Sequence, residues 1–227
     1  MPKTSANAPQ KSRIQHQNQA LILKAALDVF SAYGYRGTTV DQIADKAGLS
    51  KPNLLYYFRR KEDIYVAVLE HTLDEWLKPL RMLDVDGEPI TELTRYISEK
   101  LDMSFANPSA SRLFANEILH GGPHVQKFLK GPLRDLVEEK VKVIHHWIAA
   151  GKIRPVDPPH FIFAIWAVTQ HYADFSTQVD AVLGSADRKT QVKQAVTEIL
   201  LRGLRVSSDA FNKEWGSAAD EKAYRKL

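Results

Sequence analysis

A short polar helix carries the side chains of this chain that are best suited to recognising another molecule. Residues 48–58 read GLSKPNLLYYF, in which Ser50 caps a helix and Pro52 stands where its missing N–H costs nothing. The positions predicted to face inward are Leu54, Leu55 and Phe58. The outward positions carry an ammonium, an amide and two phenols, groups that suit phosphates and base edges, and are Lys51, Asn53, Tyr56 and Tyr57.

A second short helix precedes it across a tight turn. Thr38 or Thr39 caps this helix, and apolar residues recur along it at helical spacing up to Ala47. Gly48 follows in the position where a helix ends in the left-handed conformation. Two helices around such a turn predict a helix-turn-helix whose second helix enters the DNA major groove. The alternative is a solvated polar face on a small core helix, because this pattern also occurs in proteins that do not bind DNA.

The composition excludes several classes of protein. The chain has 227 residues, of which 44% are hydrophobic, and no run approaches the roughly 20 apolar residues of a membrane span. It has no cysteine, which excludes disulfides and thiolate metal sites. With a polar N-terminus that lacks an apolar signal core, this predicts a cytoplasmic protein that does not associate with membranes. The net charge of +4 is too small to indicate nucleic-acid binding by itself.

An apolar helix near residues 161–175, FIFAIWAVTQHYADF, also carries polar groups that need partners. A buried polar group without a partner costs roughly 1–3 kcal/mol. Trp166 and Gln170 share a helix face, and the amide edge of Gln170 complements the O=C–N–H edge of a uracil-like ring. Trp76 and Trp166 could form flat apolar walls, and Arg112 could donate to a ring carbonyl or a carboxylate.

These polar residues have other interpretations. Both tryptophans could be ordinary core residues, and Arg112 could pair with Glu117. A dimer interface or a buried network could instead use His171, Tyr172 and Asp174. The last two helices, about residues 160–182 and 186–206, are more apolar than a single packed face requires, so two copies of the chain would form a four-helix interface.

An enzyme is the rival class, and the histidines invite a metal-site interpretation. Adjacent histidines such as His145 and His146 diverge on a helix, and the chain contains no H-E-x-x-H motif. It also contains no glycine-rich phosphate loop and no G-x-S-x-G motif. We therefore expect no catalytic residue, no metal and no cofactor.

Residues 25–69, AALDVFSAYGYRGTTVDQIADKAGLSKPNLLYYFRRKEDIYVAVL, resemble the TetR family of bacterial transcriptional regulators. The resemblance implies a repressor-like protein with an N-terminal DNA-binding domain and a C-terminal ligand-binding and dimerising domain. LLYYF, the W-L-x-P-L run at Trp76, ASRLF and IWAVTQHYADF are similar to the pyrimidine-utilisation subgroup, which responds to uracil. The sequence departs from that subgroup at Asn116 and His120, which either widen the hydrogen-bonding options of the ligand site or cap a helix.

The resemblance implies roles for individual residues. Lys51 and Asn53 would read guanine and adenine edges, and Tyr56 and Tyr57 would contact phosphates or thymine methyl groups. Three residues at helix starts, where backbone N–H groups favour phosphate, complete the DNA-binding set: Thr38, Thr39 and Lys61. The implied ligand-binding set is Trp76, Arg112, Asn116, His120, Trp166 and Gln170.

The expected fold is all-α in four segments. They are a disordered basic arm (1–13), a helix-turn-helix domain (14–60), a ligand-binding and dimerisation domain (61–206) and a flexible tail (207–227). The expected function is a repressor that binds a palindromic DNA operator as a homodimer and is released by a small nitrogen heterocycle, a pyrimidine such as uracil or thymine. The alternatives are a TetR-type regulator that responds to a purine, an amino acid or a pyrimidine breakdown product, or one controlled by a protein partner.

Overall fold

The computed structural model describes residues 8–184 and 188–206, and the expected all-α fold is confirmed over this part of the chain. Its α-helices are α1 Ala8–Gly37, α2 Val40–Ala47, α3 Lys51–Tyr57, α4 Lys61–Arg81, α5 Pro89–Ala106, α6 Pro108–Leu119, α7 Gln126–Phe128, α8 Arg134–Ala149, α9 Pro158–Asp174, α10 Ser176–Leu183 and α11 Lys189–Leu201. Within these ranges no helix is long and apolar enough to cross a membrane. The expected tail and residues 1–7 of the expected arm lie outside the described residues.

Two compact units divide the described chain. Unit 1 comprises residues 8–75 and 112–126, and unit 2 comprises residues 76–111, 127–184 and 188–206. This division does not follow the boundary expected near residue 60, because the first part of α4 and most of α6 cluster with the helix-turn-helix. The start of α1 also differs: residues 8–13 are helical, whereas the sequence predicted a disordered arm up to residue 13.

Local caps define the helix-turn-helix of unit 1. The Thr39 hydroxyl accepts a hydrogen bond from the Gln42 N–H at 3.2 Å, and the Gln42 side chain accepts one from the Thr39 N–H at 2.8 Å, which is a capping box. Gly48 ends α2 with φ of 69°, a left-handed conformation that favours glycine. The Ser50 hydroxyl caps α3 by accepting from the Asn53 N–H. Both short helices are therefore set by residues within or next to them.

The core of unit 1 joins α1, α2, α3 and the first part of α4. Its largest fully buried side chains include Phe30, Ile43, Leu54 and Ile64. Of the three α3 residues expected to face inward, Leu54 is 0% exposed, whereas Leu55 and Phe58 are only partly buried. A single leucine thus anchors α3 in the core, and the remaining side chains of this short helix are wholly or partly exposed.

The end of α6 joins unit 1 through a buried carboxylate. Glu117 is 5% exposed and accepts hydrogen bonds from the Tyr65 hydroxyl at 3.2 Å and from the His124 backbone N–H at 2.8 Å. The rings of Tyr65 and His124 also contact each other, with centroids 5.0 Å apart. Burial, reinforced by the Glu117 carboxylate, raises the pKa of Tyr65. These contacts explain why residues 112–126 belong to unit 1.

Unit 2 is built around one apolar core in which α5 packs against α9 and α11, and α8 packs against α9. Trp147 on α8 is fully buried, and its indole N–H donates to the Val85 carbonyl at 2.9 Å. The sequence predicted one helix from about residue 160 to 182, but the chain breaks at Phe175 (φ −113°, ψ 29°) into α9 and α10. A π-helical turn over Leu129–Leu133 precedes α8.

Candidate DNA-binding surface and effector site

The outer face of α3 is polar and open. Lys51, Asn53 and Tyr56 have exposed side chains, with Tyr56 71% exposed, and Tyr57 is half-buried. The Tyr57 hydroxyl accepts a hydrogen bond from the Asn18 amide of α1 at 2.8 Å. Helix α1 thereby orients one of the two tyrosines, while the lysine, the amide and the other phenol point outward.

Lys51 already has a partner on α2. Its ammonium lies 2.9 Å from the Asp41 carboxylate, and both side chains are at least half exposed. Exposed ion pairs of this kind contribute only about 0.2–1 kcal/mol. Little free energy is therefore lost when Lys51 leaves Asp41 to contact a phosphate or a guanine edge. In the absence of DNA, the ion pair with Asp41 holds Lys51 on the outer face of α3.

Two residues of the predicted DNA-binding set have side chains that support the fold. Thr38 is 1% exposed and its hydroxyl donates to the Gly34 carbonyl at 2.8 Å, so the side chain is not accessible to DNA. The Lys61 ammonium donates to the carbonyls of Tyr35 and Thr38 at 2.7 and 2.8 Å and lies 4.6 Å from the centre of the Tyr35 ring. Both carbonyls follow Gly34, whose φ of 69° and ψ of 173° break α1, and satisfying them gives Lys61 a structural role. These side-chain contacts were not predicted from the sequence. Lys61 is more than 20 residues from both carbonyls, and Thr38 reaches Gly34 across the turn that ends α1.

The predicted effector residues fall in different units. Trp76, Trp166 and Gln170 lie in unit 2, whereas Arg112, Asn116 and His120 lie in unit 1. The last three have exposed side chains on α6 or just after it, which does not match the buried pocket expected for them. The His120 ring is 2.7 Å from the Asn116 carbonyl, a contact that terminates the helix as the second sequence interpretation anticipated.

The two tryptophans of unit 2 are both held by α5. Trp76 is 8% exposed, and the Lys100 ammonium lies 5.1 Å from the centre of its ring. The Trp166 indole N–H donates to the Tyr96 hydroxyl at 2.6 Å. Trp166 also lines an apolar cavity of about 580 Å³, together with side chains of α8 such as Val137 and Val141. Gln170 is half-buried.

Lys100 is the residue of this region that the sequence analysis missed. It is 4% exposed, and burial lowers its pKa from 10.5 to about 8, although the nearby Asp174 carboxylate opposes that shift. The Ser111 hydroxyl, 2% exposed, donates to Asp174. A signal was present in the sequence: Lys100 lies four residues after Tyr96 and four before Ser104, on the buried face of an otherwise apolar helix.

Comparisons with known proteins cover most of the chain. Residues 22–68 match the family model for bacterial regulatory proteins of the tetR family, and residues 69–207 match the model for the C-terminal region of YcdC-like proteins. The HTH-type transcriptional regulator RutR of Escherichia coli (strain K12) is 46% identical over 199 residues, which cover 86% of this chain and 94% of that protein. The HTH-type transcriptional repressor NicS of Pseudomonas putida is 28% identical over 213 residues, 89% of this chain and 98% of that protein.

Solved structures show a similar fold at lower identity. The ketosteroid transcriptional regulator KstR2 of Mycobacterium tuberculosis has a TM-score of 0.64 at 22% identity, covering 83% of this chain and 95% of that one. AibR in complex with isovaleryl coenzyme A and operator DNA has a TM-score of 0.60 at 18% identity, covering 80% and 97%. These structures share the fold, whereas the family models and the 46% identity to RutR confirm the resemblance stated from the sequence.

The buried ammonium of Lys100 predicts an unusual stability change. The lowering of its pKa corresponds to about 3 kcal/mol of destabilisation at neutral pH. The unfolded lysine keeps its proton up to about pH 10.5, whereas the folded one releases it near pH 8, so wild-type stability rises between these values. Lys100→Met should therefore raise the free energy of unfolding by up to about 3 kcal/mol at pH 7, and less at pH 10.

Lys140→Met is the matched control. Lys140 is also 4% exposed, but its ammonium pairs with Glu139 at 2.8 Å and donates to the Leu83 carbonyl at 3.3 Å, so its replacement should lower stability. Urea unfolding at pH 7 and pH 10 measures both variants. A Lys100→Met protein that is less stable than the wild type at pH 7 would contradict this interpretation of the buried charge.

Proposed function

This chain belongs to the TetR family of bacterial regulatory proteins, and from that premise we propose that it represses transcription by binding a palindromic operator as a homodimer. Like the relatives it matches, it is a helix-turn-helix transcriptional regulator and not an enzyme. Its site of action is the cytoplasm, where the bacterial chromosome lies. The observation that carries the proposal is the open polar face of α3, presented by a helix-turn-helix with satisfied caps.

Recognition of the DNA base sequence is assigned to two side chains of α3. Lys51 donates to the O6 and N7 acceptors of guanine, and Asn53 pairs with the N6 and N7 groups of adenine. Both side chains are exposed near the N-terminus of the helix, the part that contacts bases in this motif. Tyr56, Tyr57 and the start of α2 at Thr39 contact the backbone and set the register.

Dimerisation is assigned to the last helices of unit 2. Several large apolar side chains on or between α9, α10 and α11 are at least half exposed. Their exposed fractions are 50% for Phe163, 55% for Phe175, 75% for Val182 and 72% for Ile199. Burying them between two copies would form a helical interface and place the two α3 helices on one palindrome.

Light scattering on the purified chain at micromolar concentration should give twice the mass of 25.7 kDa. Replacing Val182 with aspartate should shift the population toward the monomer, because a charge would then be buried at the interface. A monomeric wild type would contradict the dimer.

The effector is assigned as a pyrimidine such as uracil or thymine. Support comes from the similarity of residues around Trp76, Phe114 and Trp166 to the pyrimidine-utilisation subgroup, and from the 46% identity to RutR. Unit 2 also holds buried polar side chains, including Lys100, Ser104 and Thr169. The effector acts through its difference in affinity between DNA-bound and DNA-free conformations, and about 1–3 kcal/mol is a typical coupling.

Release of the operator tests the effector assignment. Uracil or thymine titrated into the complex of the full chain with its operator should lower DNA affinity about 5- to 150-fold, measured by fluorescence anisotropy. Adenine and an amino acid serve as ligands of other classes. If adenine or the amino acid releases DNA and neither pyrimidine does, the chain is a ligand-controlled regulator but its effector is not a pyrimidine. If none of these ligands releases DNA, control by a small molecule of these classes is wrong.

Base-reading by α3 makes a separate prediction. Lys51→Ala should weaken operator binding and reduce the discrimination against a substitution at one base pair of each half-site by about 1–3 kcal/mol. Lys46→Ala is the control, because Lys46 is an exposed cation on α2 that pairs only loosely with Asp28, at 3.8 Å, and any phosphate contact it makes is independent of sequence. Equal discrimination in the wild type and Lys51→Ala would reject the assignment.

A further inference from the structure

Two amide side chains on one face of α1 contact the two phenols of α3. The Asn18 Nδ2 group donates to the Tyr57 hydroxyl at 2.8 Å, and the Gln15 Nε2 group donates to the Tyr56 hydroxyl at 3.4 Å. Residues three apart on a helix are neighbours on its surface, so both amides approach α3 from the same side. Neither amide belongs to the DNA-binding set predicted from the sequence.

The core of unit 1 places these two pairs. Ile22, four residues after Asn18 on α1, is 0% exposed, and so is Leu54, three residues before Tyr57 on α3. The polar pair of Asn18 and Tyr57 therefore continues the helix faces that are packed in the core. Side chains carried by packed helices are held more precisely than side chains on loops.

The two phenol rings also support each other. The ring centroids of Tyr56 and Tyr57 lie 5.2 Å apart with the planes at 89°, which is the edge-to-face arrangement that aromatic pairs favour. Each ring thus has a neighbour on α3, and each hydroxyl has a partner on α1. Side chains that are ordered before binding lose less entropy when a partner arrives.

The direction of the shorter hydrogen bond determines what the Tyr57 hydroxyl can do. A phenol carries one O–H donor as well as lone pairs that accept. Because Asn18 donates to the oxygen, the hydroxyl hydrogen is left for another acceptor, and within the described part of the chain no group accepts it. A hydroxyl that accepts one hydrogen bond is polarised and donates the next one more strongly.

We propose that Asn18 is a positioning residue for DNA binding, whose amide holds the Tyr57 hydroxyl as a hydrogen-bond donor to a phosphate oxygen of the DNA backbone. Gln15 acts in the same way, through its longer contact, on Tyr56. The inference rests on the proposed function, because it takes the outer face of α3 as the DNA-binding surface. It adds side chains of α1 to the groups that set the strength of DNA binding.

Phosphate is the acceptor that fits a polarised hydroxyl. Hydrogen bonds to ionised acceptors are shorter and stronger than those between neutral groups, whereas a thymine methyl group would leave the hydroxyl hydrogen without a partner. Phosphate contacts position a protein on the duplex and carry no base-sequence information. Asn18 is therefore expected to control affinity for any duplex, and Lys51 and Asn53 to control the choice of sequence.

Binding of the full chain to a duplex that the wild type selects from a random-sequence library tests the positioning role. Tyr57→Phe should weaken binding about tenfold or more, because it removes a hydrogen bond to a charged phosphate. Asn18→Leu removes the amide at similar volume and should weaken binding about three- to tenfold. Gln19→Ala removes an exposed amide at the next position of α1 and should stay within about twofold.

A double-mutant cycle shows whether Asn18 acts through Tyr57. In the Tyr57→Phe background, Asn18→Leu should change affinity by no more than about twofold, because the hydroxyl that the amide positions is absent. The positioning role is wrong if Asn18→Leu weakens binding equally in both backgrounds, or if it weakens binding in neither.

Asn18→Asp tests the direction of the hydrogen bond. A carboxylate only accepts, so the Tyr57 hydroxyl would donate to it and would no longer be available to phosphate. The added charge also repels phosphate, and the same substitution in the Tyr57→Phe background measures that repulsion alone. The penalty should be at least about threefold larger when the hydroxyl is present. Equal penalties in the two backgrounds would overturn the assigned direction.

A comparison of two duplexes separates a phosphate contact from a displaced α3. Asn18→Leu and Tyr57→Phe should weaken binding to the selected duplex and to a shuffled duplex by the same factor, so that the ratio of the two affinities stays within about twofold of the wild-type ratio. A change in the packing of α3 would instead reduce this ratio. A loss of affinity confined to the selected duplex would therefore contradict the phosphate contact.

These outcomes distinguish the inference from the proposed function. If the wild type selects no duplex, the proposed function is wrong and the positioning role falls with it. If the wild type selects a duplex and Lys51→Ala reduces its discrimination while Asn18→Leu binds like the wild type, recognition by α3 survives and the positioning role alone is wrong.

Discussion

A charge held inside an apolar helical core is the constraint on which this account of unit 2 depends. Lys100 stands on the buried face of α5, between Tyr96 and Ser104, and the surrounding helices leave it 4% exposed. Retaining an ammonium there costs free energy that a methionine of similar length would not cost. The aromatic face of Trp76 and the attraction of the Asp174 carboxylate offset part of that cost. The cost that remains makes Lys100 a source of instability at neutral pH.

Unit 1 shows the opposite use of a lysine. The Lys61 ammonium donates to two carbonyls just after the break in α1 and lies on the Tyr35 ring, so its hydrogen bonds are made within the fold. Together with the capping box at Thr39 and the left-handed Gly48, it gives the helix-turn-helix a fixed start, turn and end. Because these contacts satisfy the backbone locally, the polar side chains of α3 remain available for DNA.

The features of the fold that local chemistry determines were predictable from the sequence. The caps of α2 and α3 depend on Thr39, Gly48 and Ser50 and on neighbours within three residues, and apolar spacing indicated the all-α fold and most helix ends. Burial by distant segments was not predictable. Thr38 was assigned to DNA, although its hydroxyl serves the end of α1.

The candidate site was predicted less well for the same reason. Spacing shows which residues share a helix face, but it does not show which face meets another helix. Arg112 and Asn116 were therefore placed in a pocket although their side chains are exposed. Lys100 was overlooked because lysine is rarely buried, and only its register with Tyr96 and Ser104 indicated the buried face of α5.

The most direct test of the account is operator release by uracil, measured by fluorescence anisotropy on the full chain bound to its operator. The account predicts that uracil lowers operator affinity about 5- to 150-fold. Operator affinity that stays unchanged at saturating uracil would contradict the pyrimidine effector.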